Sequence, residues 1–309
     1  MKYCSLLFLL FPFFGSGACS LPSHERPAAD AAVEVPSSVE RTDVPPSLKE
    51  ETVYDSRDSL EVVRLLRADT GGNDVLFYAR HFIGRPYVAH TLEVADPEKL
   101  VVNLRELDCT TLVETVCALA LTKRQGSDKF ADYCRNLERI RYRDGRRDGY
   151  LSRLHYFTWW MHDNLDKKIV EEVSDDTYFT APITVRNGYM SAHADKYKIL
   201  AAHPGWVKDI AALERKYNGA DGTYLPERYT NLGRKQLSCV KDGDIVAIVT
   251  TKAGLDYSHL GFAVWGKDGK LHLLNASMVY KKVVEDTVTL HDYLARRKTS
   301  VGIRLLRLR

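Results

Sequence analysis

Apolar residues recur at helical spacing in three stretches of the first 125 positions. This periodicity predicts helices over 59–66, over 73–82 and from Cys109 onward. Gly84 and Pro86 end the second of these helices. The apolar run 100–104 predicts a short strand or extended segment that leads to the Cys109 helix. The N-terminal part of the domain should therefore be a helical layer.

The pattern changes along the rest of the chain. Residues from 127 to about 235 are mixed, and helices are predicted over 130–139, 152–164 and 204–217. The last third holds β-rich runs separated by Gly and Asp turns, namely 244–251, 259–265, 271–276 and 301–308. The pattern predicts an α+β fold, in which a helical layer carrying Cys109 packs on an antiparallel sheet carrying His259.

The N-terminus has the pattern of an export sequence. Lys2, an apolar run over 6–14 and small residues before Cys19 predict a signal peptide over 1–18. The run is shorter than the ~20 residues that a membrane-spanning helix needs. Cys19 stands where a lipoprotein signal requires the acylated cysteine, and an ordinary cleavage site nearby is the alternative. We expect an exported, periplasmic lipoprotein that touches the membrane only through its lipid anchor.

Residues 19–53 are rich in Pro, Ala, Ser and acidic residues without apolar periodicity, which predicts a disordered tether before one domain over 54–309. The net charge of +3 is small and the basic residues are scattered, so nucleic acid is not an expected partner. No Cys-x-x-Cys pair or His/Cys cluster has metal-ligand spacing. Neither a metal nor another cofactor is expected.

Four cysteines remain after the export sequence, namely Cys109, Cys117, Cys134 and Cys239. They are too few for a dense disulfide framework. Cys109 and Cys117 lie about 12 Å apart along one helix, which is too far for a disulfide. The other three are interpreted as buried small apolar residues.

Cys109 differs because it begins a helix. Asp108 is a good N-cap residue, and the unpaired N–H groups of a first helical turn favour a thiolate over a thiol. We therefore expect a depressed pKa for Cys109. His259 and Asn275 on two later strands are candidates for a base and for the residue that orients it, a set sufficient for acyl transfer on amides. The alternative is that Cys109 is merely packed in the core.

The predicted hairpin links His259 to Asn275. The two residues lie directly opposite each other if the turn is centred on Lys267 with a loop of three or five residues. Either loop places both side chains on one face, whereas a two-residue turn would send Asn275 to the opposite face.

Three sequence blocks resemble the NlpC/P60 cysteine peptidases of bacterial cell walls. They are Gly84-Arg85-Pro86-Tyr87, Asp108-Cys109-Thr110 and His259-Leu260-Gly261-Phe262. Within that superfamily the chain resembles the N-acetylmuramoyl-L-alanine amidase-like group known as DUF1460, through the blocks 82–93, 108–114, 150–156 and 254–259. This resemblance runs from about Val62 to Arg309. It implies a papain-like fold with insertions around 127–235.

The resemblance also implies roles for individual residues. Cys109, His259 and Asn275 would be catalytic, and Tyr87 would place its hydroxyl at the same site. Asp108 would bind substrate, cap the helix or do both, and Arg153 and His155 would contact substrate. Relatives in this group usually carry His in place of Asn275, which leaves the pH profile open because Asn does not titrate.

The leading functional hypothesis is a cysteine-dependent peptidoglycan amidohydrolase that cuts between the lactyl group of muramic acid and L-Ala. A γ-D-glutamyl-diamino-acid endopeptidase is the second, with the same chemistry. A non-catalytic lipoprotein that binds the cell wall is the third. Each would have peptidoglycan or a muropeptide as its partner.

Overall fold

The computed structural model describes residues 50–309. The predicted signal peptide, Cys19 and nearly all of the predicted tether lie outside these residues. Strand β1 (Thr52–Val53) pairs in parallel with β2 (Leu100–Val101). Ordered structure therefore begins before residue 54, because the last residues assigned to the tether hydrogen-bond to the domain.

The helices precede most of the sheet in the chain. They are α1 (Ser56–Arg67), α2 (Asp74–His81), α3 (Cys109–Arg124), α4 (Phe130–Arg141), α5 (Phe157–Asp166), α6 (Tyr189–Ala192), α7 (Lys198–Ala202), α8 (Val207–Tyr217) and α9 (Leu290–Ala295). Helix α1 begins three residues earlier than predicted because Asp55 caps it through the N–H of Arg57. The helix predicted over 152–164 begins only at Phe157, after a 3₁₀ turn over Tyr150–Ser152.

Eight strands within residues 50–309 form one antiparallel sheet. The further strands are β3 (Val170–Val173), β4 (Ala181–Val185), β5 (Gly219–Pro226), β6 (Ile245–Thr250), β7 (Tyr257–Trp265), β8 (Leu271–Ser277), β9 (Lys282–Glu285) and β10 (Ser300–Leu308). Their order is β4-β5-β10-β6-β7-β8-β9, and β3 also pairs with β10. The four predicted strands are present, and the sequence pattern missed β3, β4, β5 and β9.

Both faces of the sheet are buried. In β6, Ile245, Ala247 and Val249 belong to a core shared with the helices around α3. The alternate residues Val246 and Ile248 belong to a second core. Because side chains alternate along a strand, burial on both faces makes every residue of β6 buried. The chain is a mixed helix and antiparallel-sheet domain with a core on each side.

The aromatic run at the start of α5 belongs mainly to the interior. Trp159, Trp160 and Met161 are buried in the helical core. No helix in the described part of the chain is long and apolar enough to cross a membrane. Residues 50–309 also contain no group of three or more His, Cys, Asp or Glu side chains suited to a metal ion.

Candidate active site

Helix α3 starts with a closed capping box. Asp108 Oδ1 accepts from the N–H of Thr111 at 2.8 Å, and Thr111 Oγ1 accepts from the N–H of Asp108 at 2.8 Å. The cap fixes Cys109 as the first helical residue. Helix geometry leaves the N–H groups of Cys109 and Thr110 without a backbone acceptor. The Asp108 carboxylate therefore accepts the capping hydrogen bond of α3.

The expected depressed pKa of Cys109 is wrong for this structure. Burial and the adjacent Asp108 carboxylate raise the pKa of the thiol to about 12. The N–H of Leu260, the hydroxyl of Thr110 and the residue's own N–H favour the thiolate but do not reverse this effect. Desolvation of the charged form outweighs the helix N-terminus. The resting residue is a neutral thiol.

His259 and Asn275 meet across the β7–β8 hairpin. Phe262 pairs with Leu274 and Trp265 with Leu271, so the loop is 266–270, centred on Asp268 rather than Lys267. The odd loop and the shared face were predicted correctly, and Gly269 has the left-handed φ of 74°. The observed pairing of β7 with β8 is shifted by two residues from the predicted pairing. Asn275 therefore comes opposite Gly261 and reaches His259 diagonally.

Gly261 makes the diagonal contact possible. A Cβ at this position would lie 2.6 Å from the carbonyl oxygen of Leu274 and 3.1 Å from Cβ of Asn275. No side chain fits between the strands there, and Asn275 Oδ1 lies 2.9 Å from Nε2 of His259. The glycine of the His-x-Gly pattern is thus required by the close packing of the two strands.

The hydrogen bonds around fully buried Asn275 define the state of the His259 ring. Asn275 Nδ2 donates to the carbonyl oxygen of Leu273 at 3.4 Å, which turns Oδ1 toward His259. His259 Nε2 therefore donates and Nδ1 is free to accept a proton. Burial lowers the pKa of His259, Arg297 lowers it further, and Asn275 and Asp108 oppose the shift. The imidazole is neutral at rest.

Cys109 and His259 line one cavity of about 290 Å³. Of the residues predicted to bind substrate, Asp108, Arg153 and His155 also line it. Tyr87 is not among the lining residues, but burial raises its pKa to about 12 with a contribution from the charge of Cys109. The structure thus brings the predicted residues together around one cavity or beside it.

Arg153 and His155 line one wall of the cavity, and each already has a partner within the protein. Arg153 is 6% exposed and forms ion pairs with Glu93 at 3.1 Å and with Glu98 at 3.3 Å. His155 Nε2 bonds to the carbonyl oxygen of Tyr150 at 2.9 Å. Burial and the charge of Arg153 hold the pKa of His155 well below its usual range.

The other carboxylates that line the cavity also have partners. Glu114 is paired with Arg141 at 2.7 Å, with both side chains buried. Burial raises the pKa of Glu114, and Arg141 opposes the rise. Asp256 accepts from the N–H groups of Thr158 and Tyr257. The pairing of Glu93, Glu98 and Glu114 with arginines was not indicated by the sequence, because the partners are distant along the chain.

Tyr293 is another residue that the sequence did not indicate. It lies in the short helix α9, and its ring stacks on His259 with centroids 6.2 Å apart. Of the other cysteines, Cys117 and Cys134 are buried as predicted. Cys239 is only partly buried and its thiol donates to Asp175, so its interpretation as a buried apolar residue is wrong.

A family model described as N-acetylmuramoyl-L-alanine amidase-like matches residues 78–303. A crystal structure of an N-acetylmuramoyl-L-alanine amidase from Bacteroides uniformis is similar, with 40% identity, a TM-score of 0.72 and coverage of 78% of this chain and 100% of that chain. A Bacteroides fragilis protein provisionally described as a xylanase has 42% identity, a TM-score of 0.70 and coverage of 75% and 99%.

A DUF1460 protein from Legionella pneumophila shares the fold at 22% identity, with a TM-score of 0.62 and coverage of 85% of this chain and 96% of that chain. No curated protein matches the chain.

Proposed function

We propose that this chain, which belongs to the N-acetylmuramoyl-L-alanine amidase-like family, is a cysteine-dependent hydrolase of the amide between the lactyl group of muramic acid and L-Ala. The observation that carries the proposal is the placement of Cys109 and His259 on one cavity, with Asn275 bonded to the imidazole. The papain-like arrangement of NlpC/P60 proteins is part of the same proposal.

In the first step, Cys109 Sγ attacks the lactyl carbonyl carbon while its proton moves to Nδ1 of His259. Because thiol and imidazole are both neutral at rest, this transfer accompanies the attack and no preformed ion pair is needed. The N–H groups of Cys109 and Thr110 are placed to stabilise the negative charge on the carbonyl oxygen. Asn275 Oδ1 accepts from Nε2 throughout and stabilises the imidazolium.

In the second step, the imidazolium donates its proton to the leaving amine of L-Ala, and the carbon–nitrogen bond breaks. The lactyl group is left as a thioester on Cys109. His259 then takes a proton from water, whose oxygen attacks the thioester, and the thiol is released with the proton returned to sulfur. Tyr87, Asp108, Arg153 and His155 would contact the muropeptide around this centre.

The site does not favour glycosidic chemistry of the kind suggested by the description of the Bacteroides fragilis protein. Such chemistry generally needs two carboxyl groups free to act as acid and as nucleophile or base. Glu93 and Glu114 are held by arginines, and Asp108 and Asp256 accept backbone N–H bonds. The thiol and the imidazole are the groups available for reaction.

Purified muropeptides and mass spectrometry of the products test the proposal. Cleavage by the amidase yields a sugar carrying a free lactyl carboxylate and a peptide starting with L-Ala. A γ-D-glutamyl endopeptidase yields a different pair of masses, and a cell-wall-binding protein yields none. Products of the second or third kind would overturn the amidase assignment.

Alkylation tests the protonation state of Cys109. With a raised thiol pKa, the rate of modification by iodoacetamide should climb about tenfold per pH unit from pH 6 to pH 9, because the thiolate is the reactive form. A rate that is already level at pH 6 would instead indicate a preformed thiolate.

Export and a lipid anchor at Cys19 form a separate proposal, supported by the N-terminal sequence. The mature protein should begin at Cys19 and sediment with membranes, and Cys19→Ala should release it. A mature protein that starts elsewhere and stays in the soluble fraction would overturn the anchor.

A further inference from the structure

Tyr293 and Arg297 form a stack on the face of the His259 ring. The Tyr293 and His259 rings are nearly parallel, at 17°, with centroids 6.2 Å apart. The Arg297 guanidinium lies 3.6 Å from the centroid of the Tyr293 ring, and its Nη1 donates to the carbonyl oxygen of Tyr293 at 2.7 Å. Tyr293 is itself buried. The geometry is typical of offset aromatic packing and of a cation over an aromatic face.

Among residues 50–309, no ion pair joins Arg297 to a carboxylate, although its side chain is partly buried. Asp286 lines the same small cavity as Tyr293 and Arg297 but forms no ion pair with the arginine. Within the described part of the chain, no ion pair therefore neutralises the positive charge of Arg297.

We infer that Tyr293 and Arg297 are positioning residues for His259. The tyrosine ring holds the imidazole in the orientation that Asn275 selects, and the arginine charge adds to the effect of burial in opposing imidazolium. The inference rests on the proposed function for its catalytic meaning. The stack itself is independent of any substrate.

The charged and titratable groups around His259 come from three elements. Asp108 acts on it from the start of α3, Tyr293 from α9 and Arg297 from the segment after α9, and Cys109 lines the same cavity. Asn275 on β8 and Ile248 on β6, its neighbours in the sheet, do not titrate. Asp108 favours imidazolium, whereas Arg297 and burial oppose it. Removal of the Arg297 charge leaves Asp108 without an opposing charge.

The effect on pH dependence follows from these signs. A neutral His259 is needed to take the proton of Cys109, so hydrolysis is lost as pH falls through the pKa of the imidazole. Arg297→Gln should raise that pKa and move the acid limb of kcat/KM to higher pH. Arg297→Lys keeps the charge, so the acid limb of its kcat/KM profile should stay at the wild-type pH. Arg296→Gln removes the same charge from the adjacent exposed residue and is the matched control, with a smaller shift expected.

The packing of the Tyr293 ring on His259 is tested separately. Tyr293→Leu should lower kcat about 10-fold with KM unchanged, because a less well oriented base loses part of its contribution. Tyr293→Phe keeps the ring and should retain wild-type kcat. Equal losses in Tyr293→Phe and Tyr293→Leu would overturn the packing role.

An NMR titration of the His259 ring protons separates this inference from the proposed function. The midpoint should rise in Arg297→Gln and stay near wild type in Arg297→Lys and Arg296→Gln, whether or not muropeptides are cleaved. Equal midpoints in Arg297→Gln and Arg296→Gln, in proteins with unchanged thermal unfolding, would overturn the inference. Absence of muropeptide cleavage by the wild type would overturn only the proposed function.

Discussion

Two groups of residues at the cavity, Arg153 with its partners and Cys109 with His259, differ in how their charges are accommodated. In the first group, Arg153 is clamped between Glu93 and Glu98. In the second, Cys109 and His259 are polar groups whose pKa values shift toward the neutral forms. Charges are paired where the protein needs a fixed shape. They are avoided where a proton must move.

This contrast has an energetic basis. A buried ion is costly unless a partner and hydrogen bonds compensate for the lost water. A compensated group is held in one state and is unsuited to changing its charge during a reaction. A neutral thiol and a neutral imidazole carry no such penalty and can form an ion pair only when substrate supplies the new contacts. The following variants test this division.

The largest effect is expected at the nucleophile. Cys109→Ala should lower kcat/KM for muropeptide cleavage by at least about 10⁴-fold, because the covalent step is removed. Steady-state kinetics with mass-spectrometric detection gives the value. Cys239→Ala, a partly buried thiol bonded to Asp175, should stay within about twofold of wild type, as expected for a residue outside the reaction. Comparable loss in both variants would place the chemistry elsewhere.

Loss of the ion pairs of Arg153 should lower the stability of the fold. Arg153→Met leaves Glu93 and Glu98 buried without their cation and should lower the free energy of unfolding by about 3–5 kcal/mol. Urea denaturation without substrate measures the change. Arg309→Met removes an exposed pair with Glu171 and should cost less than about 1 kcal/mol. A loss at Arg153 no larger than that at Arg309 would mean that the wall does not depend on charge pairing.

Substitution of Asn275, which bonds to the neutral His259, should change the rate of hydrolysis and its pH dependence. Asn275→Ala should lower kcat on the order of 10²-fold, because His259 loses the acceptor that fixes its tautomer. Asn275→Asp keeps an acceptor but adds a negative charge. That charge favours imidazolium, raises the pKa of His259 and moves the acid limb of kcat/KM to higher pH. An unchanged limb in Asn275→Asp would show that the residue does not act on the imidazole.

The smallest of the four effects is expected at the glycine between the strands. Gly261→Ala should lower the free energy of unfolding by about 1–3 kcal/mol, since its Cβ would overlap the carbonyl oxygen of Leu274 and crowd Asn275. The same shift should weaken the His259–Asn275 bond and lower kcat. Thermal unfolding and kinetics together check both. Full stability with full activity would mean that the hairpin accommodates a side chain at this position.

The features that depend on neighbours in the chain were predictable from sequence. Asp108, Cys109 and Thr111 lie within one helical turn, so the cap and the helix start followed from residue preference. A loop with an odd number of residues was enough to predict that His259 and Asn275 lie on one face of the sheet. The exact pairing of the two strands did not follow. A loop centred on Lys267 and one centred on Asp268 both place the two side chains on one face of the sheet.

The features that depend on distant partners were not predictable. Burial of the Cys109 thiol in the folded domain reverses the direction of its pKa shift, and no local sequence pattern indicates that burial. The pairing of Arg153 with Glu93 joins residues 60 positions apart. Tyr293 reaches His259 from a short helix that the periodicity did not indicate. Tertiary packing, rather than local preference, decides these interactions.

The position of β10 bears on how the protein is made. This strand comes last in chain order, yet it lies inside the sheet and pairs with β3, β5 and β6. Until residues 300–308 have been added, β3 has no strand partner, and β5 and β6 are each paired on one edge alone, with β4 and β7. Without β10, the β4–β5 pair and strand β3 therefore cannot join strands β6 to β9, which carry His259 and Asn275. The complete eight-stranded sheet should therefore form only after β10 has been synthesised, because this strand connects parts of the sheet that are distant along the chain.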